Sequence, residues 1–160
     1  MRRGKQLLSK EDTAAVMDRC TNGVLACIGD EDYPYAVPLS YVYFNGKIYF
    51  HSGMAGHKID ALAKNPKVSF TVIDEDTIVS EKYTTYFRSV IAFGKARITE
   101  GDEKLEAFKA LVEKYSGDQP AEAKHKEITE CTRAYIFAID VDHITGKEAL
   151  EYVNAKNNKQ

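Results

Sequence analysis

The chain lacks any apolar run near the ~20 residues that a membrane-spanning helix needs. GVLACIG and SVIAFG are both far shorter. It also lacks an excess of one charge: 22 Lys and Arg stand against 24 Asp and Glu. That balance excludes the broad basic field that holds a nucleic acid backbone or an anionic membrane. Cysteine is scarce, with only Cys20, Cys27 and Cys131. An odd count without CxxC spacing argues against both a disulfide framework and a metal knuckle. His125 and His143 stand apart from any Cys or acidic pair at ligand spacing, so no metal site is expected. No GxSxG, Walker loop or dinucleotide GxGxxG occurs. The opening MRRGKQLLSKED turns polar before a signal-peptide core develops, and a cytoplasmic location with reduced thiols is the expectation.

What is present is a strand-rich pattern. GVLACIG, YAVPLSYVYF, KIYFHS, KVSFTVI, TYFRSVIAFGKARIT and AYIFAIDVDHI are rich in β-branched and aromatic residues and are mostly bounded by turn residues. Asn45-Gly46, between SYVYF and KIYFHS, is the strongest hairpin signal, because a type I′ turn needs positive φ at both central positions. Pro38 cannot donate a ladder hydrogen bond, so its backbone belongs on an edge or is locally unpaired. Ser9 caps a short helix carrying Ala14, Ala15, Val16 and Met17. GHKIDALAKNP reads as a second helix with Ile59, Leu62 and Ala63 buried. Leu105, Phe108, Leu111, Val112 and Tyr115 mark a third. Ser116 to Glu127 reads as a loop or a poorly packed helical piece. The expectation is one mainly β domain over residues 1–153: six antiparallel strands closing into a barrel with flanking helices, followed by a polar tail over 154–160.

Ile48 to Pro66 is the most informative stretch. A strand delivers His51 and Ser52 to a loop containing Gly53 and Gly56, which opens a helix at His57-Lys58. Free N-H groups at a helix start, with glycines that permit close approach, suit a phosphate. A solvated loop with a capping Ser and a lone Lys fits the same spacing equally well.

The run YPYAVPLSYVYFNGKIYFHSGMAGHKIDALAKNPKVSF resembles the first half of the FMN-binding split barrel shared by pyridoxamine-phosphate oxidase and the nitroimidazole-resistance flavoproteins. YFRSVIAFGKARI and the late ITGK resemble the second group in particular, and the combined likeness covers residues 2 to 147. The resemblance implies a six-stranded split β-barrel that binds FMN as a homodimer, with its cofactor sites at the interface. Val37, Pro38, Leu39 and Ser40 match the strand facing the isoalloxazine ring. His51, Ser52, His57 and Lys58 match the phosphate end, and His51 also matches a residue discussed as functional beside the flavin. Arg88, Ser89 and Val90 match a strand next to the cofactor, commonly across the interface. For Arg88 a surface ion pair with Glu81 or another acid is the alternative. For His51 it is a simple hydrogen bond to the backbone or the phosphate.

The implied activity is oxidoreduction, with electrons passing from a reduced nicotinamide through FMN to a small flat acceptor such as a nitro-aromatic. The alternative is a non-catalytic protein that stores or senses FMN or haem, with His51 or His57 as an axial ligand. A deazaflavin reductase shares the architecture. A true pyridoxamine-phosphate oxidase fits poorly, because EALEYVNAKNNKQ supplies no Arg. Clustered tyrosines, Tyr33, Tyr35, Tyr41, Tyr43, Tyr83 and Tyr86, add some support for a dimer.

Overall fold

A computed structural model describes residues 4–130 and 134–158. Met1-Arg2-Arg3 and Cys131 lie outside the described residues. In chain order the elements are α1 (Lys10–Arg19), β1 (Asn22–Ile28), β2 (Pro34–Ser40), β3 (Val42–Phe44), β4 (Lys47–Ser52), α2 (His57–Lys64), β5 (Lys67–Val79), β6 (Thr84–Ile98), α3 (Gly101–Ser116), α4 (Ala121–Glu130), β7 (Tyr135–Glu148) and α5 (Leu150–Asn157). No described helix is long and apolar enough to cross a membrane.

The seven strands form one antiparallel sheet in the order β2-β1-β5-β6-β7-β4-β3. The expected count of six is therefore corrected to seven, and the expected closed barrel to an open one. YAVPLSYVYF breaks at Tyr41 into β2 and β3, which lie at opposite edges of the sheet. Since one residue joins the two edges, the sheet must roll up until they meet, yet no ladder closes the seam.

Tyr41 is fixed from both sides. Its phenol is fully buried and donates to the Met17 carbonyl at 2.8 Å. Its backbone N-H donates to the Tyr115 hydroxyl at 2.9 Å, and that hydroxyl lies 2.7 Å from its carbonyl oxygen. The strand break is thereby satisfied by a side chain from α3 instead of a neighbouring strand.

Local chemistry explains the other elements. The Ser9 hydroxyl accepts the Asp12 N-H at 2.9 Å and starts α1, whose Val16 and Met17 are fully buried. Asn45 (φ 50°) and Gly46 (φ 74°) turn β3 into β4. Pro38 lies on the edge strand β2, paired only with β1. The barrel interior holds Leu25, Phe50, Phe70, Val72 and Val90, while a smaller cluster of Tyr49, Ala107, Leu111 and Ile136 packs α3 against the outside.

Helical detail departs from expectation in two places and decides between two readings in a third. Ala61, not Ala63, is buried on α2, because the helix leans its Ala61-Leu62 edge on the barrel. Of the two readings of Ser116 to Glu127, loop or poorly packed helical piece, the structure has the second over Ala121–Glu130: α4, which buries no residue. Residues 150–157, which include part of the expected polar tail, form α5.

A candidate flavin-phosphate site and a facing groove

Strand alternation separates residues that are adjacent in sequence. On β4, Ile48 and Phe50 point into the barrel with the buried Ser52, whereas Tyr49 packs outward against α3 with His51 exposed on the same face. Ser52 and Lys58 thus belong to the inner mouth of the barrel, and His51 to its outside. The expected phosphate group of His51, Ser52, His57 and Lys58 is not one cluster.

At the mouth, α2 begins at Gly56, whose φ of 132° favours glycine and which offers no side-chain cap. The His57 and Lys58 N-H groups make no hydrogen bond among the described residues and remain open to an anion, while the Ile59 N-H donates to the Gly56 carbonyl at 2.9 Å. Two lysines and a histidine project from this helix. Lys64 pairs with Asp30 at 3.0 Å, and His57 Nδ1 lies 3.3 Å from the same carboxylate with its ring edge-on to Tyr35. Lys58 is different. It is half-buried over the Phe50 ring, 5.5 Å from its centroid, and meets no carboxylate among the described residues. Burial pushes the Lys58 amine below its ordinary value, and only the weak influence of Cys27 opposes that shift.

The seam adds backbone groups. β3 pairs β4 only as far as Tyr49, so the Phe50–Ser52 edge is free on that side, as is the outer edge of β2. Val37 and Leu39 pack inward against the core, while Pro38 and Ser40 face out. A flat ligand that hydrogen-bonds to backbone has two unpaired edges available here.

On the outer face of β4, His51 and Ser40 open into a groove of about 530 Å³ walled by α3 and α4, with Phe108, Leu111 and Tyr115 among its lining. Sequence reasoning recognised these α3 residues only as a packing stripe. The polar end of Tyr115 within that stripe was the available signal.

The β6 residues stand apart. Arg88 Nη1 binds Asp74 at 3.0 Å and its Nε binds Glu148 at 3.2 Å, with Tyr152 stacked below at 4.8 Å. A β-bulge between Ile73 and Glu75 turns Asp74 inward to meet it. The ion-pair alternative therefore describes Arg88 in this chain, with Asp74 and Glu148 as partners instead of Glu81. His51 pairs with Ile136 and Arg88 with Glu148 along β7, a contour of roughly 40 Å. Arg88 and Lys58 accordingly have separate partners, Asp74, Glu148 and Tyr152 for the first and Phe50 for the second. The Val90 side chain is 1% exposed and its backbone pairs with β5 and β7, so it presents no open surface in this chain. Ser89 is half-buried on the opposite, outward face of β6.

Residues 9–148 match the family described as Pyridoxamine 5'-phosphate oxidase. The chain belongs to this family. A curated relative, an uncharacterised protein of Rhizobium meliloti (strain 1021), is 29% identical over 90% of this chain and 95% of its own. Among solved structures, one described as a 5-nitroimidazole antibiotic resistance protein from Bacteroides thetaiotaomicron superposes with a TM-score of 0.72. It is 25% identical over 89% of this chain and 86% of that one. A FAD-binding protein from Mesorhizobium loti has a TM-score of 0.64 and 26% identity, covering 89% and 95%. The rolled sheet is thus a fold shared with these structures.

Proposed function

We propose that this oxidase-family protein binds FMN and works as a flavin oxidoreductase, passing electrons from reduced nicotinamide to a small flat acceptor such as a nitro-aromatic. The observation that carries the reading is Lys58, a half-buried cation with no acidic partner among the described residues, set over Phe50 at an uncapped, glycine-led helix start, with the buried Ser52 on the same face of β4 as Phe50. That donor set suits a phosphate monoester, and Val37 to Ser40 on the free β2 edge would face the ring. A bound flavin supplies the redox chemistry, while the chain holds, orients and shields it. The likeness to a FAD-binding protein supports a flavin in general, since FAD carries the same ring and a phosphate at the same place.

The absorption spectrum of freshly purified protein tests this first. Paired flavin bands are expected, and FMN should bind the stripped protein much more tightly than riboflavin. A Soret band, or equal affinity for the two flavins, would overturn the assignment.

His51 is proposed to act on the acceptor, because it faces the groove and not the phosphate mouth. Imidazole is the side chain best suited to supply or take a proton in such a step. His51→Ala is expected to slow reoxidation of the pre-reduced, FMN-saturated protein by a nitro-aromatic while leaving FMN affinity close to wild type. Stopped-flow absorbance reads the rate. Lost affinity with an unchanged rate would make His51 a ligand only.

A homodimer completes the reading. Pro38, Val24, Thr71, Ile91 and Thr145 are register partners in one row across five strands, on the outward face of the sheet, and none is charged. Phe93 (51% exposed) and Ile73 (64%) extend that face. Apolar surface of this extent favours a self-complementary interface. The tyrosines carry less of the argument, since Tyr41 is internal while Tyr33 and Tyr83 lie off this face, in turns. Light scattering should report twice the chain mass, and Ile91→Glu should halve it. A wild-type monomer that retains flavin would exclude the dimer.

A further inference from the structure

We propose that the groove between α3, α4 and the outer face of β4 binds an uncharged, flat aromatic molecule, with His51 as the polar group that meets it. The proposal names the acceptor class for the flavin reading and rests on it in one respect: the groove reaches Ser40, at the end of the strand assigned to the ring.

Three observations support it. The first is size and lining. About 530 Å³ suits a molecule of one or two rings, and Phe108, Leu111, Val112 and Ala123 give it apolar walls. The second is the looseness of α4. This helix buries no residue, and another groove of about 410 Å³ runs along its other side, sharing Val112 and Lys124 with the first. A helix resting on apolar ground that it does not fill adds little to the core, and few buried contacts mark a segment that opens at low cost.

The third is charge. Among the described residues Lys124 is the one lysine or arginine lining the groove, and its amine is already held by Glu113 Oε2 at 2.8 Å and the Gly117 carbonyl at 3.1 Å. Glu127 lines the groove without an ion-pair partner among the described residues. Among the described lining residues an anionic ligand would meet no free lysine or arginine and one carboxylate, which favours a neutral ligand. The His51 imidazole makes no hydrogen bond or ion pair to another described residue and is available to donate to a nitro or carbonyl oxygen.

The chain contains no tryptophan, so Phe108→Trp places a single reporter in the groove wall. Flavin-free Phe108→Trp is titrated with nitrobenzene and with 4-nitrobenzoate while tryptophan emission is followed. Tyr83→Trp, at a site 98% exposed in a distant turn, serves as the collisional control. The expected result is saturable quenching by nitrobenzene, with 4-nitrobenzoate weaker by about ten-fold or more. Adding Ala123→Phe, which fills the groove, should abolish saturation, and Glu127→Lys should narrow the gap between the two ligands. Gln119→Trp on the rim replaces the reporter if Phe108→Trp does not fold. Linear quenching indistinguishable from the control overturns the groove as a site, and equal saturable binding of the two ligands overturns the assignment of an uncharged one. Because flavin is absent, a protein that fails to bind FMN can still pass this test, and one that binds FMN can fail it.

Discussion

Replacing Arg88 with alanine is expected to destabilise the fold by about 2–4 kcal/mol, near the lower end of what breaking a buried ion pair costs. For a chain of this size that lowers the melting temperature by roughly 5–15 °C. The effect arises from the carboxylates left behind. Among the described residues, the Glu148 side chain, 3% exposed, keeps Lys156 at 2.8 Å, and the Asp74 side chain, 9% exposed, keeps Arg19 at 2.6 Å and the Cys20 thiol at 3.5 Å. Those remaining partners are why the figure is not larger. The double variant Arg88→Met with Glu148→Gln removes both charges, so it should be less destabilised than Arg88→Ala, since a neutral amide is cheaper to bury than an unpaired carboxylate. Equal melting temperatures would show that lost packing on Tyr152 explains everything.

The same cluster sets a pH dependence. The hydrogen bond from Arg19 first, and that from Arg88 after it, hold the Asp74 carboxyl down at about 2 against an ordinary value of 3.8. A carboxylate depressed in the folded state contributes stability above its unfolded pKa and loses it as pH falls through the folded one. Wild type should therefore shed this contribution between about pH 4 and pH 2. Arg88→Ala has less of it to lose, so the difference between the two proteins narrows over that window. Thermal melts at pH 6 and at the lowest pH that still gives a folded baseline check the sign.

Features written in neighbouring residues were legible in the sequence: the Ser9 cap, the Asn45-Gly46 hairpin and the edge position of Pro38. Each follows from local backbone chemistry. The break at Tyr41 was not legible, because its unpaired backbone is satisfied by Tyr115 in α3, which lies 74 positions later. Nor was the inward turn of Asp74, since a bulge inserts one residue without marking the strand pattern. Arg88 accordingly looked like a lone cation, and a ligand was a natural partner to assign. At the site, alternation already separated His51 from Ser52. Which side was interior depended on how the sheet rolls, and the groove on the His51 side depended on α4, a charged helix with no apolar stripe to announce it.

Lys58→Ala carries the largest expected effect on binding. A half-buried ammonium with no acidic partner among the described residues is held there at a cost, because burial disfavours its charged form and pushes its pKa down. A phosphate placed between Lys58, Ser52 and the open N-H groups of α2 would relieve that cost and gain a charge-assisted contact. Losing the contact is worth ~1.5–3 kcal/mol, so FMN affinity should fall about ten-fold to a hundred-fold. Riboflavin affinity should stay where it was, because riboflavin has nothing to place at Lys58. Lys58→Met sharpens the test by keeping apolar bulk over Phe50 while removing the charge. Its flavin-free form should melt no lower than wild type, and slightly higher if the unpaired charge is the dominant strain. Isothermal titration with FMN, FAD and riboflavin, beside thermal melts of the stripped proteins, reads both arms. If Lys58→Met weakens riboflavin as much as FMN, the lysine supports the ring or the fold and the phosphate belongs elsewhere. If affinity for FMN is unchanged, the mouth of the barrel is not the flavin site at all.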